Sequence, residues 1–289
     1  MKLLTCEYQG RRFAAVSDGK LVYEAAPDML TLIKSLGGAL PDESMLAGEG
    51  IALAGEGIAL ADVRVLSPIP EPAQDVVCLG MNYVEHSAEA EKWGGEAEFK
   101  KNAGKAVYFS KRAAYIIGPD DYIDGHFDIV DSLDYEVELA VILGRDAYRV
   151  SEEDAADYVL GYSVLNDVSA RNLQTAHKQF YFGESLDTHT AMGPWIVTRD
   201  EFPWEPELPI RCYINGELRQ DSNTRYEIYG AAHVIAELSA GITLKAGTII
   251  AMGTPAGVGM GFTPPKYLKS GDVVRCEIDG IGVLENTVK

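Results

Sequence analysis

The sequence predicts a β-rich α+β protein with a small N-terminal domain, residues 1–66, and a larger domain, residues 70–289. Three observations predict this organisation. Short strand-like runs separated by glycine-containing turns open the chain, and a stretch with three prolines, residues 66–73, marks the boundary. An alternating run at residues 134–144 then has the pattern of a central strand. At 289 residues the chain is long enough to bury a sizeable core.

Composition and charge argue against several classes of protein. Hydrophobic residues make up 47% of the chain and charged residues 24%, without a long apolar run, which is typical of a soluble globular protein without a membrane span. The opening residues turn polar too soon for a signal peptide. The formal net charge of −19 argues against nucleic acid or anionic lipid as a partner. Four scattered cysteines without a CxxC pair indicate reduced thiols in a cytoplasmic protein: Cys6, Cys78, Cys212 and Cys276.

The N-terminal domain is predicted to contain short strands and one helix. The runs MKLLTCEY, RRFAAVS and KLVYEA are strand-like, and QG and DG turns separate them. Asp28 is a suitable N-cap for a helix with the sequence MLTLIKSLG, which should end at Gly37 and Gly38.

The larger domain opens with a buried-type strand, DVVCLGMNY, that runs into VEHSAEAEKWG. If the second segment is helical, His86 and Glu89 lie on one face at positions i and i+3. A carboxylate that holds one imidazole nitrogen leaves the other nitrogen to accept a proton, for example from water. The alternative is a solvated acidic face of a helix.

The alternating run DYEVELAVILG, residues 134–144, suggests a metal site. One face of the strand would carry five apolar or aromatic residues: Tyr135, Val137, Leu139, Val141 and Leu143. The other face begins with Glu136 and Glu138 and ends in apolar residues, as in a strand covered on both sides. Two carboxylates roughly 7 Å apart on a covered strand resist desolvation, and a hard divalent cation relieves that cost. The alternative is a strand whose first half is solvated.

A third carboxylate follows on the next predicted strand, LGYSVLNDVSARNLQ. Asp167 lies near the end of this strand, where it could supply one more oxygen ligand. The alternative role for Asp167 is the cap of a turn or helix.

Eight segments occur in the order that is typical of one enzyme family: GMNYVEH (80–86), FSK (109–111), LDYEVELAVILG (133–144), GYSVLNDVSARNLQ (161–174), LDTHTAMGPWIVT (186–198), INGELRQDSNT (214–224), AMGTPAGVG (251–259) and GDVVRCEIDGIGVLENTV (271–288). On these segments, residues 70–289 resemble the fumarylacetoacetate hydrolase family. The resemblance implies a mixed β-roll catalytic domain, usually dimeric, with one Mg²⁺ or Mn²⁺ ion per subunit. It covers the N-terminal domain only weakly.

The resemblance also implies roles for individual residues. The metal ligands would be Glu136, Glu138 and Asp167, and the water-activating pair would be His86 and Glu89. Three further residues match positions that bind the oxygens of the substrate: Arg171, Gln174 and Thr254. The glycine-rich run GTPAGVGMG, residues 253–261, lacks the spacing of a phosphate loop and is better explained as a tight turn beside a carboxylate site.

One departure from the family pattern concerns the substrate. Members of the family usually carry a lysine just before the LDT motif, where this chain has Glu184. A carboxylate there would repel an anionic substrate. Either Lys178, Lys111 or Lys105 reaches the site instead, or Glu184 serves a different substrate, or the protein binds a ligand and catalyses poorly.

The function predicted from the sequence is therefore a divalent-metal-dependent hydrolase that cleaves a carbon–carbon bond in a small anionic 2-oxo acid of the acylpyruvate or fumarylpyruvate type. Two alternatives stay open. One is an isomerase or decarboxylase of a hydroxymuconate- or oxaloacetate-like acid. The other is a catalytically weak ligand-binding protein, because of Glu184.

Overall fold

The computed structural model describes residues 1–46, 57–86 and 104–289. In these ranges the α-helices are α1 (Met29–Leu36), α2 (Arg171–Ala176), α3 (Tyr181–Glu184) and α4 (Ala231–Ser239). The strands are β1 (Lys2–Tyr8), β2 (Arg11–Ser17), β3 (Leu21–Ala26), β4 (Ile58–Ala59), β5 (Arg64–Val65), β6 (Val76–Gly80), β7 (Val107–Lys111), β8 (Tyr122–Ile123), β9 (Leu133–Asp134), β10 (Val137–Leu143), β11 (Val159–Asp167), β12 (Ser169–Ala170), β13 (Thr190–Thr198), β14 (Pro209–Ile214), β15 (Glu217–Asn223), β16 (Ile249–Ala251), β17 (Val273–Ile278) and β18 (Gly282–Val288).

Most of these strands form one large mixed sheet, and the order along it is β4-β3-β2-β1-β13-β11-β10-β16-β6-β7, with β5 paired to β1. The pair of β16 and β6 is parallel, whereas β10 is antiparallel to both of its neighbours. A five-stranded sheet has the order β15-β14-β17-β18-β8, and β9 pairs with β12 separately. The predicted β-rich α+β class is confirmed.

Strand β10 is central and is covered on both faces, as its alternation predicts. Every residue of β10 is buried. Its odd-numbered residues belong to the core cluster that includes the five-stranded sheet. Ala140 and Ile142 belong to a second cluster together with Leu32 and Ile33 of α1. The continuous strand predicted at residues 134–144 is interrupted, because Asp134 pairs with Ser169 in the small β9–β12 sheet and β10 begins only at Val137.

The N-terminal strands continue the same large sheet. Strand β1 pairs with β13, with Lys2 opposite Val197 and Leu3 opposite Ile196. The predicted helix is confirmed as α1, whose N-cap Asp28 accepts a hydrogen bond from the backbone of Thr31 at 2.8 Å. The division into domains at residues 66–70 stays a prediction, because this shared sheet joins the two segments on either side of it.

None of the helices in the described ranges has the length and apolar character needed to cross a membrane. All four cysteines are free and buried, as predicted for reduced thiols that pack in the core.

Candidate active site

Strands β10 and β11 bring three carboxylates together where β10 begins and β11 ends. The two strands pair with Val137 opposite Asn166, and the backbone N–H of Asp167 donates to the Glu136 carbonyl at 2.9 Å. One oxygen each of Glu136, Glu138 and Asp167 lies within 4.8 Å of the other two. These are the three predicted metal ligands.

The three carboxylates are buried, with relative exposures of 7%, 1% and 0% for Glu136, Glu138 and Asp167. Burial raises the pKa of Glu136 and holds the pKa values of Glu138 and Asp167 well above their usual range. The alternative of a solvated strand is therefore wrong. The capping role for Asp167 is also wrong, because neither of its carboxylate oxygens accepts a hydrogen bond from a backbone N–H of the described residues.

This arrangement fits a divalent cation. Hard cations such as Mg²⁺ and Mn²⁺ prefer oxygen ligands, and three buried carboxylates without a cation would repel one another in a medium of low dielectric. An ion would supply the missing partner of Asp167 Oδ2. Glu136, Glu138 and Asp167 are the residues that would hold it.

The glycine-rich segment at residues 253–261 lies against this site as a tight turn, as predicted. The backbone N–H of Gly253 donates to Glu138 Oε2 at 2.8 Å and fixes that carboxylate. Asp134 Oδ1 accepts from the N–H of Gly259 at 2.6 Å, and Asp134 Oδ2 accepts from the N–H of Met260 at 3.0 Å. The segment therefore binds protein carboxylates through its backbone.

Arg171 begins helix α2 and is the main cation of the site. Its Nε donates to Asp134 Oδ2 at 2.9 Å, one Nη binds Glu136, and the other donates to Gln174 Oε1 at 3.2 Å. The adjacent carboxylates Glu136 and Asp134 raise the pKa of Arg171 despite its burial, so Arg171 stays charged.

The side chain of Thr254 is hydrogen-bonded to protein groups. Its hydroxyl donates to the Val137 carbonyl at 3.0 Å and accepts from Gln220 Nε2 at 2.7 Å. The predicted contact between Thr254 and a substrate carboxylate stays a prediction, and it requires the hydroxyl to turn away from Val137.

Glu184 is engaged by protein groups in this structure. Its carboxylate accepts from Gln174 Nε2 at 2.6 Å, from Ser169 Oγ at 3.1 Å and from Lys111 Nζ at 3.0 Å. Lys111 is fully buried on β7, and its Nζ lies 2.5 Å from Asp167 Oδ1. Of the three lysines considered in the sequence, Lys111 is therefore the one that the structure brings to the carboxylates.

The other two lysines lie elsewhere. Lys178 is exposed and does not belong to the described lining of the site cavity, so its predicted contact with the substrate stays a prediction. Lys105 is exposed and lies 3.7 Å from Glu237. Glu89 falls outside the described residues, and its pairing with His86 stays a prediction.

A cavity of about 180 Å³ lies against Glu136, Glu138, Arg171 and Thr254. This volume is small beside the roughly 300–1,000 Å³ typical of pockets for larger ligands. Among the described residues, the charged or titratable side chains that line the cavity are those of Glu136, Glu138, Arg171 and His86. His86 is buried and lines the same cavity as Glu136.

The family model for the C-terminal domain of fumarylacetoacetate hydrolase matches residues 75–289. The chain belongs to the fumarylacetoacetate hydrolase family. The predicted membership and the α+β fold expected from it are thereby confirmed.

Individual members of the family are similar over most of the chain. The oxaloacetate tautomerase YisK of Bacillus subtilis is 43% identical over 228 residues, which cover 79% of this chain and 74% of that protein. The fumarylacetoacetate hydrolase of Exiguobacterium antarcticum has a TM-score of 0.84 at 38% identity and covers 100% of this chain and 99% of its own. The 5-carboxymethyl-2-hydroxymuconate delta-isomerase of Mycobacterium smegmatis has a TM-score of 0.76 at 29% identity, with coverage of 100% and 99%.

Two residues that organise this family site were not assigned a role from the sequence. Asp134 opens the DYEVELAVILG run, where a carboxylate before two others could have been noticed as part of the same cluster. Gln220 accepts from the backbone N–H of Val137 at 3.1 Å and donates to the Pro255 carbonyl at 2.8 Å. Nothing in its neighbourhood on β15 indicates this role.

Proposed function

We propose that this protein is a divalent-metal-dependent isomerase that interconverts the keto and enol forms of a small 2-oxo acid. The observation that carries the proposal is the buried group of Glu136, Glu138 and Asp167 beside Arg171 in a small cavity. Two similar proteins are named for isomerisations, an oxaloacetate tautomerase and a muconate isomerase. This supports the isomerase alternative more than the hydrolase that was the first prediction.

The chain's own groups have distinct roles in this proposal. A divalent cation, when bound, would neutralise the negative charge that develops on the oxo oxygen as a bond on the neighbouring carbon breaks. Arg171 holds the carboxylate of the acid and orients it beside Glu136. Asp134 fixes Arg171 through its Nε and also fixes the turn at Gly259.

His86 is the proton carrier of the proposal. An imidazole is suited to take a proton from a carbon or oxygen atom of the substrate and return it to the neighbouring atom near neutral pH. His86 lines the same cavity as Glu136 and Glu138. Its predicted partner Glu89 would set the orientation of the ring.

Hydrolysis of a carbon–carbon bond is the second candidate. It is favoured by the 38% identity to a protein named fumarylacetoacetate hydrolase. In that case His86 would take a proton from water, and the distal carbonyl of an acylpyruvate would be attacked. The catalytically weak alternative stays open, because Glu184 replaces the family lysine and the Lys111 ammonium is held by Asp167 and Glu184.

The test is the enol-to-keto conversion of a panel of 2-oxo acids, with Mg²⁺ or Mn²⁺ and with EDTA. We expect metal-dependent acceleration, and loss of both Mn²⁺ binding and activity in Glu138→Ala. His86→Ala should lose about 10²–10⁴ in kcat and still bind Mn²⁺, whereas Glu85→Ala, an exposed neighbour, should behave like the wild type.

Two results would contradict the proposal. Release of pyruvate from acetylpyruvate without enol–keto conversion of any acid would favour the hydrolase. Tight Mn²⁺ binding without turnover of any compound would favour a ligand-binding protein.

Three further expectations belong to the same proposal. The ion is expected to be Mg²⁺ or Mn²⁺, because the ligands are all carboxylates. The protein is expected to be a cytoplasmic homodimer with a small anionic partner only, without nucleic acid or membrane. Its four buried free thiols and its net charge of −19 are consistent with that setting.

A further inference from the structure

Three acceptors of the protein surround the ammonium group of Lys111. It donates to the Val168 carbonyl at 3.0 Å and to Glu184 Oε2 at 3.0 Å, and it lies 2.5 Å from Asp167 Oδ1. An ammonium has three N–H donors, and three acceptors surround this one. Glu184, which replaces the family lysine, therefore adds no cation to the site and also occupies a donor of Lys111.

Arg171 can hold one carboxylate and no more. Its guanidinium has five N–H donors, of which three bind Asp134, Glu136 and Gln174. The two that remain allow at most one further carboxylate. In the proposed function that partner is the carboxylate next to the oxo group.

Apart from its charged or titratable side chains and the polar side chains of Gln174, Thr175 and Thr254, the described cavity lining is apolar. Five side chains form this surface, which we call the apolar wall: Leu79, Met81, Phe109, Phe180 and Met260. The rings of Phe109 and Phe180 meet edge to face with centroids 5.5 Å apart. Aromatic rings and thioethers of this kind favour contact with an aryl or alkyl group.

We propose that the substrate is a 2-oxo monocarboxylate whose remaining substituent is an uncharged aryl or alkyl group, and that the site disfavours a second carboxylate. This rests on the proposed function, because it assumes that Arg171 holds the first carboxylate. A second carboxylate against the apolar wall would lose its hydration without meeting a cation among the described residues of that wall, and it would face Glu136 and Glu138.

The test compares two unreactive chelating analogues that differ at one end. N-phenyloxamate presents a phenyl group beyond the 2-oxo carboxylate, and N-oxalylglycine presents a second carboxylate. We measure their dissociation constants for the Mn²⁺-loaded protein by calorimetry. N-phenyloxamate should bind at least ~10-fold more tightly, the order of discrimination that an apolar pocket gives for small changes of substituent. Equal affinities, or tighter binding of N-oxalylglycine, would overturn the proposal.

A pair of variants on the apolar wall sharpens the comparison. Met260→Lys adds a cation to the wall and should shift the ratio of the two affinities toward N-oxalylglycine by ~10-fold or more. Met260→Leu keeps the wall apolar and should leave the ratio as in the wild type. Mn²⁺ binding by each variant shows that the site has folded. A Met260→Lys variant that binds Mn²⁺ with an unchanged ratio would contradict the assignment of Met260 to the substituent.

Turnover separates this inference from the proposed function. Metal-dependent tautomerisation of phenylpyruvate faster than that of oxaloacetate, in kcat/KM, supports both. The reverse order keeps the proposed function and overturns the inference. Tight binding of N-phenyloxamate without turnover of either acid overturns the proposed function alone, since the preference for the phenyl group would stand.

Discussion

His189 is a fully buried imidazole at the residue that precedes β13. Its Nε2 lies 3.0 Å from the Asp124 carbonyl, and its Nδ1 has no hydrogen-bond partner among the described residues. Burial, and secondarily the Lys111 ammonium, lowers the pKa of His189 to about 3. The folded protein therefore keeps this ring neutral over a pH range in which an unfolded chain protonates it.

The sign of the resulting pH dependence follows from proton counting. Above the unfolded pKa, about 6.5, neither state binds the proton. Below pH 6.5 the imidazole is protonated in the unfolded chain, whereas in the folded protein it stays neutral down to its pKa of about 3. The free energy of unfolding therefore falls by about 1.4 kcal/mol per pH unit in this range. When the pH is lowered from 6.5 to 5, we expect the free energy of unfolding to fall by about 2 kcal/mol less for His189→Gln than for the wild type. Urea unfolding at several pH values measures this.

The matched control is a variant of another histidine, His177. His177→Gln removes an exposed histidine and should follow the wild type over the same pH range. A His189→Gln profile parallel to the wild-type profile would mean that His189 is protonated in the folded protein.

The sequence identified those site residues whose arrangement follows from their spacing within one strand. Glu136 and Glu138 are two residues apart on a strand, so the alternation alone indicates that they share a face. The contacts of Lys111 could not be predicted in this way, because its partners Val168 and Glu184 lie 57 and 73 residues away along the chain. The charge reversal at Glu184 was visible, but its consequence depends on this distant contact.

The glycine-rich turn at residues 253–261 shows how one backbone segment supports the carboxylates. Gly253 has a φ of +90°, which disfavours any side chain. A Cβ there would lie 2.8 Å from Asn82 Cβ and 3.0 Å from the Leu79 carbonyl oxygen. The N–H of Gly253 also orients Glu138, so displacement of the turn would displace a metal ligand.

We therefore expect Gly253→Ala to weaken Mn²⁺ binding by about 10–100-fold, as for the loss of other groups that orient metal ligands. Gly271→Ala is the matched control, because Gly271 also has a φ of +90° but a Cβ there meets no atom within 4 Å. Calorimetric titration with Mn²⁺ measures both variants. Equal affinities for the two variants would contradict a role of the Gly253 turn in positioning Glu138.

Strand β10 shows the limit of pattern recognition at this scale. The alternation predicted its two faces correctly, and both faces are buried. It did not predict that the strand starts at Val137, because the break at Asp134 depends on a pairing with Ser169, 35 residues later. Strand ends of this kind are decided by partners outside the segment.

At the scale of the whole molecule, the N-terminal strands and the ligand-bearing strands share one sheet. Strand β1 covers the edge of β13, which in turn pairs with β11, the strand of Asp167. Helix α1 packs in the same core cluster as Ala140 and Ile142 of β10. Such long-range pairing leaves no periodic signal in the sequence, whereas the short N-terminal strand-like runs and the proline-rich stretch after them suggested a separate domain.

Deletion of residues 1–66 tests whether this segment folds independently. We expect the remaining chain to aggregate or to lose cooperative unfolding, because β13 would present an unpaired edge and one core cluster would lose its cover. Co-expression of residues 1–66 as a separate chain should restore solubility. Thermal unfolding and light scattering measure both. A soluble truncated chain with wild-type Mn²⁺ affinity would instead support two independent domains.

The buried ammonium of Lys111 can serve as a chemical probe of local opening. Because it is fully buried and surrounded by acceptors, an amine-reactive reagent can modify it only while β7 and its neighbours are transiently apart. Exposed Lys178 provides the rate of the unhindered reaction in the same molecule. The ratio of the two labelling rates thus reports the equilibrium between closed and open forms of the site, and any ligand that favours the closed form slows the modification of Lys111.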